Sequence, residues 1–156
     1  MKVLILYFTK TGHTLEAAEA TAEGIRAAGS EVDIVNVKGF NVDKLSDYDA
    51  LIVGSPCWGG SICKKGGIAG PVKKMLKALK PGTLKGKRCG GIAVHSGGGA
   101  ENTVTNIGTM LMEKGCEDYR PGPVATAGVP LSLWKGPSVS SEDRELFRAF
   151  GSEFVR

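Results

Sequence analysis

Hydrophobic positions along the chain gather into short runs, separated by segments whose apolar residues recur at helical spacing. Four runs read as buried strands: Val3 to Phe8, Val32 to Val37, Ala50 to Val53 and Gly90 to Val94. A weaker fifth falls near Pro123 to Val129. Between them, Leu15, Ala18, Ala22 and Ile25 share one helical face, which Ala27-Ala28-Gly29 stops. Pro71 suits the first turn of a second helix, whose apolar face is Val72, Met75, Leu76 and Leu79, whose other face is lysine, and which Pro81-Gly82 ends. Val104, Ile107 and Leu111 repeat the pattern up to Gly115, and Leu146, Phe147, Phe150 and Phe154 repeat it after the serines at 138 to 141. Lys38 to Asp49 lacks helical periodicity, so a short or irregular crossover is expected there.

Strands alternating with helices imply parallel β-α-β units with right-handed crossovers. The expectation is a single α/β domain over residues 1–156, with a five-stranded parallel sheet covered by helices on both faces. For this length the leading strand order is 2-1-3-4-5, which brings the loops after strands 1 and 3 together at the switch point where such sheets bind ligands.

Composition narrows the class. With 156 residues, 42% hydrophobic and 23% charged, the chain can bury one core and is not disordered. No stretch approaches the ~20 apolar residues of a membrane span, and the opening apolar run is shorter than a signal peptide's, so a cytoplasmic protein away from membranes is expected. Cys57, Cys63, Cys89 and Cys116 form no C-x-x-C pair and only two histidines are present, so neither a metal site nor disulfides are expected. On that reading Cys57 is a packed thiol. The net charge of +4 is modest, but Ala50 to Ala100 contains no acidic residue while holding Lys64, Lys65, Lys73, Lys74, Lys77, Lys80, Lys85, Lys87 and Arg88. That span lacks interleaved aromatics and any nucleic-acid motif, so nucleic acid is not an expected partner.

The loops carry the chemistry. Thr9 to Thr14, TKTGHT, joins strand 1 to the first helix, and its hydroxyls, backbone N–H groups and Gly12 suit a phosphate monoester; N-capping by a threonine is the plainer alternative. Neither G-x-x-x-x-G-K-[ST] nor G-x-G-x-x-G is present there. The acidic pair of a receiver domain and the Cys-to-Arg spacing of a phosphatase loop are missing too. After strand 3, GSPCWGGS places Trp58 between small residues, a flat platform for an aromatic ring or else a Trp packed on a helix. After strand 4, HSGGGAEN lets backbone approach a planar ligand closely. Together the loops describe a phosphate joined to a flat heterocycle. Trp134 and Tyr119, before the last helix, are read as packing residues ahead of any pocket role.

On these residues the whole chain resembles the flavodoxin family, with TKTGHT similar to its [ST]-x-T-G-x-T phosphate loop for FMN and SPCWGG similar to its tryptophan-bearing flavin loop. The resemblance implies a flavodoxin-like three-layer sandwich holding non-covalent FMN. It assigns Thr9, Lys10, Thr11, Gly12, His13 and Thr14 to the phosphate, and Ser55, Pro56, Cys57, Trp58, Gly59 and Gly60 to the isoalloxazine. His95, Ser96, Gly97, Gly98, Gly99 and Glu101 form the third loop, and the peptide turn toward flavin N5 falls to Gly59 and Gly60. GGGAEN is also similar to the third loop of flavodoxin-like NAD(P)H:quinone oxidoreductases. That loop lacks the second stacking aromatic, and the basic balance, with Lys64 and Lys65 beyond the flavin loop, departs from the acidic electron-shuttle pattern. The expected function is an electron carrier between redox partners, an acidic partner being one reading of the lysine span. The alternative is an FMN-dependent reductase using NAD(P)H and quinone, and the remaining reading is a binding module without flavin.

Overall fold

The apolar runs become five strands in the computed structural model, which is described for residues 1–58, 67–128 and 136–156. They are β1 (Lys2–Tyr7), β2 (Glu31–Asn36), β3 (Ala50–Pro56), β4 (Arg88–His95) and β5 (Asp118–Thr126). Four helices connect or follow them: α1 (His13–Ala27), α2 (Gly70–Ala78), α3 (Ala100–Glu113) and α4 (Ser141–Phe154). The sheet is parallel in the order β2-β1-β3-β4-β5. Successive strand residues point to opposite faces. Leu4, Leu6, Leu51 and Val53 therefore pack with Val72, Leu76, Ile107 and Leu111 on the α2/α3 side, and Val3, Ile5, Ala50 and Ile52 with Ala18, Ile25, Phe147 and Phe154 on the other. Each Val, Leu, Ile or Phe among them contributes about 1.5–3 kcal/mol on full burial.

The crossover expected to be irregular contains a 3-10 helix, Val42–Asp47, opened by Asn41, whose side chain accepts from the Asp43 N–H at 3.0 Å. Its one fully buried side chain, Leu45, plugs the core beside α2. The fifth strand needs correction. Its signal at Pro123 to Val129 is too late, because the strand runs from Asp118 to Thr126. It is an edge strand, where exposed Asp118 and Pro121 are tolerated and no continuous apolar run is required. The ladder to β4 also shifts register between Gly91 and Ala93. Tyr119 packs as the sequence indicated: its ring fills the space beside Gly91 and Gly108, and its hydroxyl donates to the Val104 carbonyl. Trp134 lies outside the described residues.

Candidate functional site

The carboxyl ends of β1, β3 and β4 deliver the three predicted loops to one edge of the sheet. The Gly12 N–H donates to Thr9 Oγ1 at 2.9 Å, closing the first loop on itself. Gly12 is the N-cap of α1 with φ 96°, and a Cβ there would meet nothing within 4 Å. The demand for glycine is thus one of backbone conformation, not space. This replaces the simple alternative of a threonine cap, since the threonine hydroxyl is spent on the turn and no side chain caps the helix. The first-turn N–H groups from His13 onward have no carbonyl to accept them within the helix, and they carry the positive end of its dipole. His13 and Thr14 are buried, and His13 Nδ1 lies 3.6 Å from Glu16 Oε1. Glu16 also accepts from the Val139 N–H at 2.8 Å, which ties the chain entering α4 to the first turn of α1.

The second loop leaves β3 at Pro56. The Cys57 N–H donates to the Val94 carbonyl at 2.9 Å, pinning the loop to β4, and the Trp58 N–H donates to Gly67 at 3.2 Å. Trp58 is the exposed member of a perpendicular pair with Phe8, ring centres 5.3 Å apart, and 36% of its surface stays open. A packed core Trp would not show that exposure. Ser55, assigned to the ring loop, is fully buried, donating to the Pro56 carbonyl and accepting from the Ala69 N–H at 3.0 Å, so its hydroxyl holds the strand end to the start of α2. Cys57, expected as a packed thiol, is disulfide-bonded; the expectation rested on the compartment, which sets redox poise. Gly59, Gly60, Lys64 and Lys65 lie outside the described residues.

The third loop is braced by His95, whose Nδ1 accepts the Gly98 N–H while Nε2 sits 3.4 Å from Thr126 Oγ1. An accepting Nδ1 puts the proton of the neutral ring on Nε2, facing Thr126. Gly98 and Gly99 have φ 108° and 89°, Gly99 caps α3, and a Cβ on Gly97 or Gly98 would meet nothing within 4 Å. Glu101 is exposed in the first turn of α3.

A crevice joins these pieces. Thr9, Lys10, Thr11, His13, Thr14, Pro56, Cys57, Trp58, His95 and Ser96 line it, whereas Gly12, Ser55, Gly97, Gly98, Gly99 and Glu101 are not among its lining residues. Val94, Ala127 and Gly128 line it too and were missed from sequence; the signal was their position at the carboxyl ends of β4 and β5. The enclosed part is only about 40 Å³, so any ligand larger than a few waters must extend across the open lip at Trp58. The donor set nonetheless fits FMN: two helices, α1 and α3, open toward this edge through glycines in left-handed conformation, and the uncovered indole supplies an apolar plane beside them.

A family model described as Flavodoxin matches residues 5–128. An NAD(P)H dehydrogenase (quinone) of Chromohalobacter salexigens is 31% identical over 161 residues, covering 84% of this chain and 72% of that protein. One of Caulobacter vibrioides is 34% identical over 136 residues, covering 73% and 67%. Among solved structures, oxidised Flavodoxin 1 from Bacillus cereus superposes with a TM-score of 0.79 at 21% identity, over 99% of this chain and 97% of that one. The rubredoxin oxygen:oxidoreductase of Desulfovibrio gigas gives 0.75 at 24% identity, over 99% of this chain and 35% of that one. The loops, the sheet order and the family match agree: the chain belongs to the flavodoxin family, whose cofactor is FMN.

Proposed function

We propose that the protein carries electrons between redox partners through FMN held at this crevice. The observation that carries the reading is the shape of the site: a shallow crevice whose apolar plane, Trp58, faces solvent, as transfer across a docked surface requires. Bound FMN would supply the redox chemistry, and the chain sets its exposure and surroundings. Thr9, Lys10, Thr11, Gly12, His13 and Thr14 hold the phosphate, by side chain or by backbone N–H. Pro56, Cys57 and Trp58 form the ring wall, with Ser55 fixing the strand behind them. Gly59 and Gly60 complete that loop, and His95, Ser96, Gly97, Gly98, Gly99 and Glu101 make the opposite side.

A second reading is supported by the relatives named NAD(P)H dehydrogenase (quinone). There, hydride would reach FMN from NAD(P)H and leave to a quinone stacked on the face that no aromatic of residues 95–102 covers. The deciding experiment titrates the protein with FMN and with riboflavin by flavin fluorescence, then mixes the FMN form with NADPH. Tight FMN binding, much weaker riboflavin binding and no rapid reduction by NADPH alone are expected of the carrier. Rapid reduction by NADPH with turnover of a quinone would replace it by the reductase, and binding of neither flavin would remove both.

A further inference from the structure

A second concavity lies between the chain that follows β2 and helix α2. It is a groove of about 510 Å³ with an apolar floor that includes Val37, Phe40, Val42 and Met75. Lys38 stands on one rim and Lys74 on the other, and they are the only charged residues among those that line it. A short chain of contacts links the groove's Lys38 to the wall of the redox site. Lys38 Nζ lies 5.2 Å above the Phe8 ring, Phe8 meets Trp58 edge to face, and Trp58 is bonded to Gly67, three residues before the groove wall at Gly70.

The charge here is not explained by stability. A helix is stabilised by acidic residues in its first turn, and α2 has none; instead Lys73 and Lys74 follow closely on its positive end. Lys38, Lys73, Lys74 and Lys77 are exposed, and no ion pair of theirs occurs among the described residues. The result is a one-signed rim around apolar floor, next to an exposed indole. Free charges of one sign steer an oppositely charged partner, and an apolar pocket between them receives an anchoring side chain.

We propose that this groove is the docking surface for an acidic redox protein, which seats an apolar side chain between Lys38 and Lys74 with carboxylates on either side. Docking there places the partner against Trp58 and Phe8, at the margin of the crevice. The inference rests on the carrier reading for its purpose, but the groove can be tested apart from it.

The probe is a small acidic [2Fe–2S] ferredoxin. Amide shifts of the 15N-labelled protein are mapped on adding oxidised ferredoxin, and the reduction of its FMN form by photoreduced ferredoxin is timed at low and high salt. Shifts are expected at residues 37–42 and 70–78, with a rate that falls as salt rises. K38Q with K74Q should slow reduction about tenfold at low salt. K85Q, which removes an exposed charge outside the groove, should leave the rate near its starting value. Shifts mapping elsewhere, a salt-independent rate, or equal slowing by K85Q would overturn the proposal. So would shifts in the groove with NADPH but none with ferredoxin, which would assign it to a dinucleotide. If FMN does not bind, the carrier reading fails, while the amide map still decides the groove.

Discussion

Trp58 contributes little to the core, since more than a third of it faces solvent and its one ring partner among the described residues is Phe8. Its removal should therefore spare the fold and fall on the ligand. Trp58→Ala is expected to weaken FMN binding by about 1–3 kcal/mol, read by flavin fluorescence, with thermal stability nearly unchanged. Unchanged affinity would move the ring off this wall. A different residue contributes to alkaline stability. Tyr48 is pushed up to about 12 by burial first, and then by the bond from its hydroxyl to Asp33, 2.8 Å, and by the charges of Asp33 and Asp47. The unfolded chain ionises a tyrosine near pH 10. Between those values the native state keeps a proton that the unfolded state has lost, so stability is full below about pH 10 and declines toward about 12. Tyr119, raised by its own burial, adds to the same decline. Tyr48→Phe should flatten the loss of melting temperature across that window, and an unchanged slope would mean the hydroxyl titrates no differently on folding.

Between elements, backbone proximity decides more than side-chain chemistry. Helices α1 and α4 cross where each offers a glycine: a Cβ on Gly24 would lie 1.9 Å from the Arg148 carbonyl oxygen, and one on Gly151 would lie 2.0 Å from that of Thr21. Rigid backbone stands in the way at both places, so the helices must part. Gly24→Ala should cost about 1–3 kcal/mol by forcing that shift, a fall of several degrees in melting temperature, with FMN affinity little affected because the crossing lies behind the site. The sequence does not disclose this contact, since neither glycine breaks the helical pattern that marks its element. The same limit explains which elements were legible. Strands β1 and β3 are buried on both faces and spell themselves as apolar runs; β5, at an edge, carries Asp118, Arg120 and two prolines, and its start was invisible. At the site, Gly12 and Trp58 could be read because a left-handed N-cap and an exposed ring leave a residue-type signature. The hydroxyl bonds of Ser55 were not legible, because whether a hydroxyl faces a ligand or its own backbone depends on a neighbour, Ala69, fourteen positions away. Ala127 and Gly128 were missed because only the topology brings them to the crevice.

For the molecule as a whole, the distribution of charge bears on the redox function more than its sum. The net charge is +4, and the acid-free span from Ala50 to Ala100 includes both the tryptophan loop and α2. Lys10 lines the crevice itself, and Lys38 reaches the ring of Phe8 beside Trp58. Full reduction of FMN to its anion adds negative charge in this region, which positive surroundings favour. A single charge about 10 Å away in high dielectric is worth roughly 0.4 kcal/mol, or roughly 20 mV for a one-electron step. Salt screens that field over a Debye length of about 10 Å at 0.1 M. The midpoint potential of the step that forms the anion should therefore fall as ionic strength rises, by a few tens of millivolts between dilute buffer and 0.5 M salt. In an acidic site the same titration would move the potential upward, because there screening relieves repulsion. Spectroelectrochemical titration of the FMN form at several salt concentrations reads the sign directly. An upward drift would place the flavin in a locally negative field, with Glu16 and Glu101 outweighing the lysines around it.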